Sequence, residues 1–264
     1  MGFEERGATA SDDPPCHYGV SKLHCRGPRR DLDRPYLAFL GGSETYGRFV
    51  AQPFVTLLER ASGRDCVNLG CLHAGLDAIG RDGDLLAVAR GAERRVLQVP
   101  GLAGLSNRFY RVHPRRNDRF LQPTQALTDL YPEVDFTEFN YCNHALECLY
   151  RLSPQRFAQI RGDLAHSWDL RIRALLHDLG GDTLLMWLRP TPGQGDPVAV
   201  TADMVDALRP LASGVVEIAV TAAGPAGELE QMSFAPMQAP VAARMIGPAT
   251  HRRIAAQLLE VLAR

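Results

Sequence analysis

Apolar positions along this chain fall into two alternating patterns. Continuous runs of β-type residues occur at Tyr36 to Leu40, Cys66 to Leu69, Arg95 to Val99, Thr183 to Leu188 and Val215 to Val220. Most are continuous rather than alternating, as expected for strands covered on both faces. Between them apolar residues recur at helical spacing, first at Phe49, Phe54, Leu57 and Leu58 ahead of Gly63, and again from Leu76 to Ala89. The tail from Pro248 to Leu262 sets Ile254, Leu258, Leu259 and Leu262 on one face and reads as a closing helix. Strand and helix in this order predict an α/β three-layer sandwich. Its five-stranded, mainly parallel sheet would carry its functional loops at the carboxyl ends of the strands.

One interval breaks the rhythm. About eighty residues separate the third strand from the fourth, where roughly 30 suffice for an ordinary βαβ unit. A helical insertion over about 109–180 accounts for the excess. Within it Ser153 stands as a helix cap, Pro154 at the first helical position and Gly180-Gly181 at the end. Phe157, Ile160, Leu164, Trp168, Ile172, Leu175 and Leu179 then form one stripe on a long helix, which can cover the active face or make a homodimer contact. The first 34 residues, with Pro14, Pro15, Gly27 and Pro28, read as an arm laid over a single domain spanning 35–264.

Composition narrows the function classes. The formal net charge of −1 on 264 residues gives no global reason to expect nucleic acid or an anionic membrane surface as a partner. Lys22 is the only lysine and does not follow a glycine-rich frame, which argues against a Walker-type nucleotide site. The acidic, polar start lacks the features of a secretory signal, and no apolar run reaches the ~20 residues of a membrane span, so a cytoplasmic protein is expected. Six scattered cysteines read as reduced thiols. Cys16, His17, His24 and Cys25 are metal-ligating types without zinc spacing, so neither a metal nor another cofactor is expected.

Candidate chemistry begins with "YLAFLGGSETYGRFV", which places Ser43 where a strand gives way to a helix. A serine there can cap the helix, join a phosphate cradle or act as a nucleophile. Later loops resolve the choice by resemblance. "GGSETYG" resembles the first block of the SGNH (GDSL-like) hydrolases, with Gly42 in place of its aspartate; "VNLGCLHAGLDAI" resembles the second block; "GLAGLSNRFY" supplies an asparagine after the third strand; and "MIGPATHRRIAAQLL" puts His251 at the start of the last helix. The order is the family's order.

This resemblance implies a flavodoxin-like, SGNH-like fold. It also implies a serine hydrolase (esterase or O-deacetylase) or O-acyl transferase acting on an acylated small molecule or sugar. Ser43 would be the nucleophile and His251 the general base. The oxyanion would be held by the amide of Ser43, the amide of Gly75 (Gly70 as second choice) and the side chain of Asn107. Two departures stand out: Pro248 occupies the place of the aspartate that would orient the histidine, and Arg108 follows Asn107 where the family has aspartate. The "VHPRRNDRF" run and the insertion also resemble an uncharacterised bacterial family, which supplies no activity.

The run "NRFYRVHPRRNDRF" is the densest basic cluster. Arg108, Arg115 and Arg116, with His73 from the second block, are candidates for holding an anionic substrate, because guanidinium groups grip carboxylate, sulfate or phosphate bidentately. Two other readings follow: an SGNH-like fold that binds an anion through these arginines with little or no catalysis, and a sulfuryl or phosphoryl transferase.

Overall fold

The structure is a computed structural model and describes residues 14–190 and 196–263. The chain forms β1 (Tyr36–Gly41), β2 (Asp65–Gly70), β3 (Arg94–Gln98), a small hairpin of β4 (Tyr110–Val112) and β5 (Phe120–Pro123), then β6 (Thr183–Pro190) and β7 (Gly214–Val220). The main sheet runs β2-β1-β3-β6-β7, and its strand pairs are parallel, with Gly41 beside Gly70 and Leu40 beside Leu97. The expected three-layer α/β architecture is therefore present. After β2 the chain crosses back over β1 to form β3, so the strand order reverses between β1 and β3. Open parallel sheets offer a ligand crevice at that switch point, beyond the strand ends.

Alternate side chains of each strand feed two cores. Leu37, Phe39, Val96 and Met186 meet Phe54 and Leu58 of the helix Phe54–Ser62 and Ile254 and Leu258 of the closing helix Pro248–Leu262. Ala38, Leu40, Leu97 and Leu185 meet the opposite layer, built from the helix Gly83–Gly91 and the long helix Pro154–Leu179. The long helix begins as expected, with Ser153 Oγ accepting from the Arg156 amide. Its apolar stripe is spent inside the chain: Phe157 through Leu179 belong to the same core as the sheet. Trp168 is fully buried, and its indole N–H donates to the Pro100 carbonyl at 2.8 Å. Where the helix ends, the buried Arg95 guanidinium donates to the carbonyls of Leu179 and Gly180, matching a cation to the negative helix terminus.

Three expectations are corrected. Phe49 is not helical; it sits at φ 66° in the turn before Phe54–Ser62. The segment from Leu76 to Ala89 is two helices, Leu76–Gly80 and Gly83–Gly91, because Asp82 leaves helical geometry to cap the second through the Leu85 amide. The arm does more than lie over the domain, since Tyr18, Leu23 and Cys25 are core residues and Cys25 pairs with Cys71 at the end of β2. Its first thirteen residues lie outside the described residues. Among the described residues no helix is long and apolar enough to cross a membrane.

Because Trp168 joins the long helix to the β3 exit by both packing and a hydrogen bond, Trp168→Ala should cost about 3–5 kcal/mol, the usual range for deleting a large aromatic from a core. Urea denaturation should show a lowered midpoint, and an unchanged midpoint would contradict this placement of the helix.

Candidate active site at the end of β1

Ser43 opens a single helical turn, Ser43–Tyr46, directly beyond the carboxyl end of β1. The turn is held by Gln98 at the end of β3. Its Oε1 accepts from Thr45 Oγ1 at 2.6 Å and from the amides of Gly42 and Thr45, each at 3.3 Å, while its Nε2 donates to Glu44 at 3.0 Å. Gly41 is required here because a Cβ would collide with Thr45 Oγ1 and Gln98 Oε1. The glycine and threonine frame around Ser43 thus has a physical reason: it lets the turn close onto β3.

His73, from the loop after β2, meets this turn. Its backbone N–H donates to Ser43 Oγ at 3.0 Å, and the residue adopts φ 61°, a conformation that L side chains take at a cost of order 1–3 kcal/mol. The imidazole is held at both nitrogens. Nδ1 lies 3.2 Å from Asp118 Oδ2, and Nε2 lies 3.0 Å from a guanidinium nitrogen of Arg48. Arginine can only donate, so Nε2 accepts and Nδ1 carries the proton toward Asp118. Burial pushes the Asp118 carboxyl up, but the His73 hydrogen bond and the charge of Arg116 outweigh it and hold its pKa below the ordinary value. Asp118 is therefore a carboxylate fitted to orient an imidazole.

His251 has the opposite arrangement. It lies at the start of the closing helix, 1% exposed, stacked on the Phe54 ring at 5.9 Å between centroids. Its Nδ1 accepts from the Phe54 amide at 3.1 Å, which leaves Nε2 to carry the proton. A general base for serine needs the lone pair on Nε2 and a carboxylate at Nδ1–H. Burial, and after it the charge of Arg26, lower the His251 pKa from 6.5 to about 3. Among the described residues no hydrogen bond joins His251 to Ser43. The geometry is that of a neutral packing histidine.

The expected oxyanion donors are also committed elsewhere. The Gly75 amide donates to Asn117 Oδ1 at 2.9 Å, and the Gly70 amide to Asn68 Oδ1 at 2.9 Å. Asn107 braces its own loop, with Nδ2 donating to the Leu105 carbonyl and Oδ1 accepting from the amides of Phe109 and Tyr110. Of the three predicted donors, the amide of Ser43 alone has no acceptor among the described residues. Of the arginines, Arg116 lies 3.7 Å from Asp118 and so borders the site, Arg115 is exposed, and Arg108 leans on the Phe109 ring. His113 Nδ1 accepts the amides of Arg115 and Arg116 and fixes the bend that carries them.

The composition of this site was only partly foreseen. His73 was expected to line it, but Arg48, Asp118 and Gln98 were not singled out. The readable signal was position: Gln98 ends a strand, and Arg48 and Asp118 lie in segments that follow one. A family described as "Domain of unknown function (DUF6473)" matches residues 1–264, and the chain belongs to that family. No curated protein matches the sequence.

An unfolded chain protonates His251 near pH 6.5, whereas the folded protein keeps it neutral to about pH 3. Its contribution to stability is then fully present above pH 6.5 and is lost as the pH falls toward 3, at about 1.4 kcal/mol per pH unit. His251→Phe cannot titrate but can keep the stack on Phe54. Urea midpoints taken between pH 6.5 and 4 should fall less steeply for this variant than for wild type, and parallel slopes would contradict the buried neutral imidazole.

Proposed function

We propose that the protein is a serine-dependent acyl hydrolase or O-acyl transferase with Ser43 as nucleophile. The acid–base group is His73, oriented by Asp118, in place of His251. The observation that carries this reading is the Asp118–His73 pair, whose tautomer puts the imidazole lone pair on Nε2, in the loop that also hydrogen-bonds Ser43. The SGNH-like character inferred from the sequence blocks is retained for the nucleophile turn and replaced for the base.

In the proposed reaction Ser43 Oγ attacks the acyl carbonyl while its proton passes to His73 Nε2. The alcohol leaves with that proton, giving an acyl ester on Ser43. Water or an acceptor hydroxyl then attacks the ester, again losing its proton to Nε2, and Ser43 leaves with a proton. Asp118 stabilises the imidazolium formed in each half. The oxyanion would lie at the Ser43 amide, at the start of its helical turn.

Arg48 gives the reading a condition, because its guanidinium caps the lone pair that the base must use. An anionic group on the substrate would draw Arg48 away and expose Nε2, so an acidic acylated sugar or small molecule fits better than a neutral ester. A second reading, anion binding without catalysis, is favoured by the same contact if Arg48 never leaves His73.

A fluorophosphonate probe distinguishes these. Wild type should label, Ser43→Ala should not, and His73→Gln should label at least about 10²-fold more slowly, as for loss of a general base. His251→Phe should still label. No labelling of folded wild type would remove the enzyme reading, and loss in His251→Phe with retention in His73→Gln would return the base to His251.

A further inference from the structure

A second concavity is built from residues other than the Ser43 group, where the long helix passes the loop 105–111 and the end of the helix Leu76–Gly80. A cavity of about 520 Å³ is lined there by Arg81, Arg108, Arg111 and Arg171, with Ser106 and Ser167. The volume falls within the few hundred to about 1,000 Å³ usual for small-molecule sites.

The four guanidiniums are brought together at an electrostatic cost. Asp77, buried beneath them, accepts from Arg171 at 2.6 Å and from the Ser106 amide at 3.1 Å, and lies 3.5 Å from Arg81. Asp163 accepts from the Arg108 amide at 3.0 Å, which uses its carboxylate on the main chain. Four positive groups therefore face two carboxylates, an excess that an anion would offset.

Two of the arginines are fixed by the backbone. Arg171 also donates to the Ser106 carbonyl at 2.6 Å, and Arg111 donates to the carbonyl of Asn107. These bonds hold the guanidiniums in place before any ligand arrives, which lowers the ordering cost of binding. Arg81 and Arg108 stand at the exposed rim, and the Arg108 guanidinium rests on the Phe109 ring at 5.6 Å. Ser106 Oγ accepts from the Val112 amide at 3.1 Å, so its hydroxyl proton is available to a ligand oxygen. Guanidinium forks with an added hydroxyl donor suit a group presenting several charged oxygens in three dimensions.

We propose that this cavity is a binding site for a phosphorylated small molecule carrying more than one negative charge. The inference goes beyond the acyl chemistry placed at Ser43 and stands on separate residues. It is read without an acyl substrate, so its failure and that of the Ser43 reading are distinguishable.

Calorimetric titration of the full chain with pyrophosphate at low ionic strength tests it. Wild type should show one saturable site that weakens with added salt. Arg108→Gln and Arg81→Gln should each weaken binding about tenfold, in line with the loss of one charge-assisted contact. The double variant should lose measurable binding while keeping the wild-type thermal midpoint, and Arg252→Gln, an exposed change on the closing helix, should bind as wild type does. The absence of saturable heat in wild type would overturn the proposal, as would undiminished binding by the folded double variant. Citrate binding as tightly as pyrophosphate would overturn the phosphoryl class.

Discussion

The guanidinium of Arg26, 4% exposed, donates to the carbonyls of Tyr46, Gly47, Val50 and Ala51 at 2.9 to 3.3 Å. Taking such a charge out of water costs several kcal/mol, and here four carbonyl dipoles and the Tyr46 ring beneath it offset that cost. The result is a rigid corner between the Ser43 turn and the helix Phe54–Ser62. Without it, the carbonyls of Tyr46, Val50 and Ala51 would lose this donor, and Gly47 would keep only the Val50 amide. The same charge helps keep His251 neutral, so one buried cation shapes both the serine turn and the histidine behind it.

Two histidines illustrate how hydrogen-bond partners choose chemistry. His251 meets an amide N–H and is thereby fixed as a hydrogen-bond acceptor at Nδ1, within an apolar layer that rejects its charged form. His73 meets a carboxylate at Nδ1 and is fixed as a donor there, in a half-open loop beside Ser43. The resemblance to the SGNH hydrolases implied the first for acid–base work. The second, by its partners, is the base of the proposed function.

The β1/β3 switch point explains why these groups gather where they do. β1 delivers Ser43, β2 delivers His73, and β3 delivers Gln98, so adjacent parallel strands bring three distant loops to one edge of the sheet. The insertion after β3 then returns across this edge: the Asn117 amide donates to the His73 carbonyl at 2.9 Å and Asn117 Oδ1 accepts from Gly75, which sets Asp118 beside the imidazole. Its long helix continues to the arginine-lined cavity. The insertion therefore supplies the carboxylate of one site and, through Arg111, Ser167 and Arg171, part of the wall of the other.

The five main strands, the capped long helix and the closing helix were legible in the sequence to within a residue or two. Hydrophobic period, Ser153-Pro154 and Gly180-Gly181 act locally and do not depend on partners. The placement of Ser43 beyond β1 was legible for the same reason. The β4–β5 hairpin was not, because three- and four-residue strands leave no period to read. Nor was the union of Arg48, His73 and Asp118, or the commitment of Gly75 and Asn107 to loop bonds, since each depends on which donor meets which acceptor across a loop. The sequence by itself determined the alternating layers and the serine at the strand end, because periodicity and turn chemistry are properties of neighbouring residues. Only the tertiary structure decided which histidine faces a carboxylate and which faces an amide, because that choice is made by groups tens of residues away.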